Sequence, residues 1–217
     1  VTPNALALYV HIPFCERKCL YCDFNSGVHG PVTRDRYVEG LLAEIRSTTF
    51  CGAVSSIFFG GGTPSVLPAS AIASVLGALR ERFDVDADAE ITVECNPGTV
   101  ASERMAGETT ESFLRGLHEA GVNRLSFGVQ SFDAGVLRRL GRIHSPEQAV
   151  TSVQAARATG FTNINIDLMF ALPGQTMGSW RSTLEQSVAL DVPHLSCYSL
   201  IVEPDTPFHV WDAQGRL

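Results

Sequence analysis

The chain has 217 residues, of which 45% are hydrophobic and only 18% are charged. This composition excludes an intrinsically disordered chain, and the length suffices for one large α/β domain or two small ones. The net charge is -7 and Lys18 is the single lysine, which excludes a basic surface for nucleic acid or anionic lipid.

Six short apolar or β-branched runs alternate along the chain with five segments of helical periodicity. The predicted strands are Leu6–Ile12, Val54–Phe59, Glu90–Glu94, Arg124–Val129, Thr162–Met169 and His194–Ile201. The helical segments have their apolar positions within Tyr37–Ile45, Ile72–Leu79, Phe113–Leu117, Val150–Ala156 and Leu184–Leu190. This alternation predicts an α/β fold with an all-parallel sheet covered by helices.

The position of the polar residues favours a barrel over a doubly wound sheet. Glycine-rich or polar stretches follow nearly every predicted strand, such as G-G-G-T-P after the second and L-P-G-Q after the fifth. In a barrel most strand ends contribute to one site, whereas a doubly wound sheet binds ligands at a single switch point. Six units are fewer than the eight of a closed barrel, so we expect an open partial (β/α)6 TIM-like barrel.

The sequence at both ends of the chain indicates a piece of a longer protein. It begins with Val1 rather than Met, and the final stretch W-D-A-Q-G-R-L completes no obvious helix or strand. The apolar run Leu6–Ile12 is too short to span a membrane and lacks the features of a signal peptide. We therefore expect a cytoplasmic protein. The polar run from Ala101 to Glu111 is interpreted as an exposed loop or helix start without an assigned function.

The strongest chemical signal is a C-x3-C-x2-C group directly after the first strand. Cys15, Cys19 and Cys22 can ligate three irons of one iron–sulfur cluster from a single short loop. The fourth iron then remains open for another ligand, much as a catalytic zinc keeps an open position.

Two other kinds of site fit the same spacing. One is a closed zinc site with His11 or an isolated cysteine as the fourth ligand, and the other is an electron-transfer cluster completed by Cys95 or Cys197. Strand alternation places Glu94 and Cys95 on opposite faces, which disfavours Cys95 as a ligand. Cys51 lies at the far end of the second strand and is interpreted as a structural thiol.

The cysteine loop and the G-G-G-T-P stretch together resemble the radical S-adenosylmethionine (SAM) superfamily. The resemblance implies a 4Fe-4S cluster whose open iron binds SAM. It also implies that an electron from the reduced cluster cleaves SAM to methionine and a 5'-deoxyadenosyl radical. Residues 1–217 would then form one radical SAM core domain.

A narrower resemblance extends nearly from end to end, through L-Y-V-H-I-P-F-C, F-F-G-G-G-T-P-S, A-G-V-N-R-L-S-F-G-V-Q-S-F and I-D-L-M-F-A-L-P-G-Q-T. These stretches resemble the group that holds the oxygen-independent coproporphyrinogen III oxidases and the radical SAM heme chaperones. The oxidases have a further cysteine two residues after the third, where this chain has Phe24, and that difference favours the chaperones. The chaperones' H-N-x-x-Y-W motif lies in their C-terminal part and does not occur here, so we expect that domain to be absent from this chain.

The resemblance also implies roles for residues outside the cysteine loop. Positions around the SAM bound to the cluster are matched by Tyr9, Gly61 and Glu94, and a position that packs against adenine is matched by Tyr21. Positions that hold a second SAM in the oxidases are matched by Gly62, Thr63, Gln130, Arg142 and Asp167. The number of SAM molecules, one or two, stays open.

Elementary chemistry singles out some of these residues without the resemblance. Glu94 is a carboxylate in an otherwise apolar strand and needs a partner. In N-I-N-I-D-L-M, alternation sends Asn163, Asn165 and Asp167 to one face, which fits a polar barrel interior or a solvent-facing edge strand. The three glycines permit close approach of a ligand to the backbone, and a tight turn with positive φ is the alternative.

The function that the resemblance implies is a chaperone that binds heme and transfers it to an acceptor protein, with a separate reductant for the cluster. The alternative is the oxidative decarboxylation of coproporphyrinogen III by an oxidase. Any of the six histidines has the chemistry to ligate heme, and none is singled out by its sequence context.

Overall fold

The structure is a computed structural model that describes residues 5–101 and 108–217. The strands in these ranges are β1 (Leu6–Ile12), β2 (Ala53–Gly61), β3 (Asp84–Cys95), β4 (Arg124–Gln130), β5 (Asn163–Phe170) and β6 (His194–Ser199). The α-helices are α1 (Pro31–Ser47), α2 (Ala69–Arg82), α3 (Pro97–Ala101), α4 (Thr110–Glu119), α5 (Ala134–Leu140), α6 (Pro146–Ala158), α7 (Met177–Ala189) and α8 (Pro207–Ala213). A short 3-10 helix covers Pro64–Val66.

The six described strands are parallel and form one sheet in the order β1-β2-β3-β4-β5-β6. Every connection steps to the next strand in the same direction, whereas a doubly wound sheet reverses its order at a switch point. Since β1 and β6 form the two edges, the sheet is open. The predicted open partial barrel is confirmed. The edge-strand alternative for Asp167 is wrong, because β5 pairs with both β4 and β6.

Strand alternation gives the sheet one apolar face and one polar face. On the face covered by helices, Val93, Phe127 and Ile166 are completely buried in the main hydrophobic core. The neighbouring residues Glu94 and Asp167 face the inside of the barrel, where they line a cavity. The hydrophobic core therefore lies outside the strands, and the polar interior stays free for ligands.

The helices begin at side chains that cap their first turns. Thr109, Ser145 and Thr176 each form a reciprocal capping box at the start of α4, α6 and α7. Each of these helices follows the pattern predicted from apolar spacing. None of the helices in the described ranges is long and apolar enough to cross a membrane.

Several boundaries differ from the sequence-based expectation. Strand β3 begins at Asp84 rather than Glu90, because its polar first half alternates on an exposed part of the sheet and lacks the apolar run used to detect strands. The chain end contains α8, although that stretch gave no helical pattern. Of the polar run 101–111, residues 102–107 lie outside the described residues, and α4 begins at Thr110.

Candidate cofactor site

The carboxyl ends of the strands surround a cavity of about 460 Å³. Its wall includes residues of the loop after β1 and residues at the carboxyl ends of β2 to β6. This is the arrangement expected for a barrel whose site lies at the carboxyl ends of its strands. Among the residues singled out in the sequence, the cavity is lined by Cys15, Cys19, Tyr21, Cys22, Phe24, Gly61, Gly62, Thr63, Glu94, Cys95, Gln130, Arg142 and Asp167. The fold thus brings together residues spread over 153 positions of sequence, from Cys15 to Asp167.

The cysteine loop is closed at its base by backbone hydrogen bonds. The Cys15 N–H donates to the Gly27 carbonyl at 2.9 Å, and the Gly27 N–H donates to the Pro13 carbonyl at 2.9 Å. Inside this loop the Cys22 N–H donates to the Cys19 carbonyl at 3.2 Å. The loop therefore has a fixed base and carries its three thiols toward the cavity.

Polar donors lie beside two of the three sulfur atoms. The Thr63 hydroxyl donates to Cys15 Sγ at 3.6 Å, and Arg142 Nη1 donates to Cys19 Sγ at 3.5 Å. Burial raises the pKa of the Cys22 thiol, and a backbone hydrogen bond from Phe24 opposes that shift. Within the described ranges no three His, Cys, Asp or Glu side chains lie close enough to hold one metal ion. A cluster that takes one thiolate per iron does not require them to do so.

Gly61, the last residue of β2, and Gly62, which follows it, are required for different structural reasons. Gly61 has a φ of 113°, and a Cβ at that position would lie 2.6 Å from the His11 ring. A Cβ on Gly62 would lie 2.6 Å from the Phe14 carbonyl oxygen, because the Gly62 N–H donates to the Ile12 carbonyl at 2.8 Å. Positive φ explains only Gly61, and close packing against the cysteine loop explains Gly62.

Two carboxylates face the cavity from neighbouring parts of the sheet. The partner that Glu94 required is the Gly61 N–H, which donates to Glu94 Oε2 at 3.2 Å. Burial and the nearby charge of Asp167 raise the pKa of Glu94 to about 7, although the Gly61 hydrogen bond opposes the shift. Burial also raises the pKa of Asp167, against hydrogen bonds from Ser126 and Asn165. The pair can attract a cationic ligand or hold a proton near neutral pH.

The two tyrosines occupy different places. Tyr21 lines the cavity, and its ring lies 6.3 Å from the Phe208 ring. Tyr9 is 59% exposed, stacks on Phe58 and has its hydroxyl 3.4 Å from His11 Nδ1. It therefore lies beside the cavity rather than in its described wall.

The fold weakens the alternative in which a fourth cysteine completes a cluster. Cys95 borders the cavity, but it is buried in the main hydrophobic core, and strand alternation places its side chain on the opposite face of β3 from Glu94. Cys51 is exposed before β2, at the far end of the sheet from the loop. Cys197 is exposed on β6, where alternation places it opposite the cavity-lining Tyr198.

Sequence reasoning missed the structure that supports the cysteine loop from the side. A small apolar cluster contains buried Leu140, Met169 and Phe208, and Leu20 and Tyr21 pack against it. The Phe208 N–H at the start of α8 donates to the Leu20 carbonyl at 3.1 Å. No sequence signal indicated this support, because α8 covers only seven residues, about two helical turns.

Comparison with known protein families matches residues 9–186 to the model of the radical SAM superfamily. The chain belongs to the radical SAM superfamily. This membership implies a 4Fe-4S cluster and SAM as the cofactors. The residues present fit that pair, because three thiols from one loop share a cavity with hydrogen-bond donors for sulfur and with two carboxylates suited to a cation.

Curated relatives of this radical SAM chain include heme chaperones from several bacteria. The heme chaperone HemW of Escherichia coli (strain K12) is 44% identical over 207 residues, which are 94% of this chain and 52% of that protein. The heme chaperone HemW of Bacillus subtilis (strain 168) is 40% identical over 96% of this chain and 54% of that protein. The chain therefore spans about half the length of the curated relatives it matches.

Solved structures give the same fold. The coproporphyrinogen III oxidase HemN of Escherichia coli, described as a radical SAM enzyme, superposes with a TM-score of 0.82 at 36% identity, over 98% of this chain and 47% of that one. The radical SAM methyltransferase TsrM of Kitasatospora setae has a TM-score of 0.60 at 17% identity, which shows a shared fold alone.

Proposed function

We propose that this chain is the radical SAM domain of a heme chaperone, which binds heme and transfers it to an acceptor protein. The observation that carries the proposal is the identity of 40–44% with heme chaperones over nearly the whole chain, combined with a three-cysteine loop at the cavity. Residues 1–217 form the core domain of this proposal. Its location is the cytoplasm, where thiol ligands stay reduced.

The cofactor site in this proposal uses the cavity's own side chains. Cys15, Cys19 and Cys22 would hold a 4Fe-4S cluster, and the same cavity would hold SAM. When reduced, such a cluster supplies an electron to SAM. Glu94 and Asp167 attract the positive groups of SAM, and Glu94 holds a proton until a cation displaces it, since its pKa of about 7 is close to neutral pH.

The remaining matched residues shape the cavity around SAM. Gly61 and Gly62 let the backbone approach a ligand closely, and Thr63 fixes Cys15 through its hydroxyl. Gln130 ends β4 with a φ of 68°, which turns its side chain and the following backbone into the cavity wall. Tyr9 covers the rim beside Glu94.

A second candidate function is that of an oxygen-independent coproporphyrinogen III oxidase. The close superposition on the coproporphyrinogen III oxidase HemN favours it. Against it stands Phe24, which lines the cavity and is 61% exposed at the position where the oxidases have a further cysteine. The chaperone is therefore the preferred function.

The two functions are separated by supplying both substrates to the reconstituted full-length protein. We expect heme to bind with a Soret band and to move to a heme-free heme protein, and we expect no change in coproporphyrinogen III incubated with SAM and dithionite. The Phe24→Cys variant serves as a matched comparison for the oxidase pattern. Formation of protoporphyrinogen IX by the wild-type chain would contradict the chaperone proposal, and so would the absence of heme binding.

A further inference from the structure

The C-terminal end of α5 contacts the cysteine loop through three consecutive residues. The Leu140 carbonyl accepts a hydrogen bond from the Leu20 N–H at 3.0 Å. Gly141 lies so close that a Cβ there would be 2.9 Å from Leu20 Cγ. Arg142 then places Nη1 at 3.5 Å from Cys19 Sγ. The helix end and the loop thus form one joint centred on Cys19 and Leu20.

The backbone of this joint leaves Arg142 little freedom. Its N–H donates to the Leu137 carbonyl at 3.0 Å, and the Gly141 N–H donates to the Arg138 carbonyl at 3.1 Å, which together form a Schellman motif. The side chain is fixed as well, because Nη2 donates to the Gly128 carbonyl. The buried Nε atom of Arg142 has no hydrogen-bond partner among the described residues.

We propose that Arg142 is a positioning residue that sets the reduction potential of the cluster by holding a fixed positive charge at Cys19. The inference rests on the proposed function, since it requires a cluster at the three cysteines. Both amino groups of Arg142 donate hydrogen bonds, one to Cys19 and one to the Gly128 carbonyl, so its charge is held beside the cysteine loop.

The physical reason is electrostatic. Reduction of the cluster adds one electron from an external one-electron reductant, and no bond forms or breaks. A fixed cation beside a ligand sulfur favours the more negative, reduced form, and hydrogen bonds to sulfur act in the same direction. Arg142 supplies both effects at Cys19, because its guanidinium is always charged and donates to the sulfur.

The test compares Arg142→Gln, Arg142→Lys and the control Arg138→Gln in the anaerobically reconstituted chain. Arg138 lies in the last turn of α5, four residues before Arg142, and is exposed, so its replacement removes the same charge without the contact to Cys19. Dithionite titration followed by electron paramagnetic resonance gives the midpoint potential, and iron and sulfide analysis gives the cluster content.

We expect Arg142→Gln to lower the equilibrium constant for one-electron reduction about tenfold, a fall of about 59 mV in potential. The midpoint potential of Arg142→Lys should fall less, and that of Arg138→Gln should equal the wild-type value.

An unchanged potential in a fully loaded Arg142→Gln chain would overturn the inference, as would a loss of SAM binding at unchanged potential. If Arg142→Gln holds no cluster but Arg142→Lys does, the requirement for a positive charge at Cys19 is supported. If neither variant holds a cluster, Arg142 is purely structural and the inference is overturned. A wild-type chain that assembles no cluster contradicts the proposed function itself, and the inference with it.

Discussion

At the residue scale, the orientation of Asp167 depends on a chain of hydrogen bonds across three strands. Ser126 donates to Asp167 Oδ2 at 3.0 Å, and the Asn165 amide donates to Oδ1 at 2.8 Å. Asn165 is itself held by the Ser196 hydroxyl, which donates to its side-chain oxygen at 3.0 Å. Because Asn165 is only 2% exposed, water cannot replace these partners, and the carboxylate points into the cavity in one orientation.

Replacing Asn165 tests this arrangement. Asn165→Ala should lower the free energy of unfolding by about 1–3 kcal/mol, because it removes the buried amide that hydrogen-bonds to Ser126, Asp167 and Ser196. Urea denaturation measures the change. The matched control is Asn163→Ala on the same face of β5, which makes no side-chain hydrogen bond in the described part of the chain and should change stability by no more than about 0.5 kcal/mol. Equal effects of the two variants would contradict the proposed role of Asn165.

Glu94 gives the chain a predictable dependence of stability on pH. Its pKa is about 7 in the folded chain against 4.5 as the ordinary value, so between these values the folded state binds more protons than the unfolded state. The free energy of unfolding should therefore fall as pH rises through this window. Glu94→Gln should make that fall smaller, leaving the part due to the raised pKa of Asp167. The variant should be more stable than the wild type at about pH 8, as measured by urea denaturation at a series of pH values.

A second variant identifies the cause of the pKa shift in Glu94. Asp167→Asn removes the nearby negative charge, so the pKa of Glu94 in the folded chain should decrease. The fall in stability, which begins near the ordinary pKa of 4.5, should then end at lower pH and be smaller. If Glu94→Gln kept the wild-type slope between about pH 4.5 and 7, another group would have to be responsible.

At the element scale, the end of α5 is the joint between the barrel and the cysteine loop. Gly141 adopts a φ of 73°, and the space for a side chain is already occupied by Leu20. Gly141→Ala should therefore lower the free energy of unfolding by at least about 1–2 kcal/mol and reduce the iron bound after reconstitution. Chemical denaturation and iron analysis measure both effects.

The control for this prediction is a glycine in ordinary helical backbone. Gly77 lies within α2, where a Cβ would meet nothing within 4 Å. Gly77→Ala should raise stability by about 0.5–1 kcal/mol, since alanine loses less backbone entropy on folding. A Gly141→Ala chain as stable as the wild type would show that Leu20 can move away from the helix end at no cost.

The success of sequence reasoning also varied by element. The long helices and buried strands were predicted because their apolar periodicity extends over several turns or over a whole strand. Helix α8 was missed because seven residues carry too little periodicity, and Phe208 is buried only when Leu140 and Met169, which are distant in sequence, pack around it. The first half of β3 was missed because pairing with β2, rather than burial, makes residues such as Asp84 a strand.

At the scale of the whole molecule, sequence predicted which residues gather at the carboxyl ends of the strands, but not how they touch. The order of strands follows from the alternation of elements, and that order brings Cys15, Glu94 and Asp167 to one cavity. The hydrogen bond from Arg142 to Cys19 spans 123 residues and depends on the left-handed end of α5. No local pattern encodes such a contact, so only the three-dimensional structure shows it.

The central claim is that three of the six cysteines hold a cluster that binds SAM and that the other three do not. Anaerobic reconstitution with iron and sulfide tests it on the wild-type chain and on two matched triple variants: alanine at Cys15, Cys19 and Cys22, or alanine at Cys51, Cys95 and Cys197. We expect the wild type and the second variant to assemble a cluster whose electronic spectrum changes when SAM is added, and the first variant to assemble none. Assembly of the cluster by the first variant, or its loss in a folded second variant, would contradict the account.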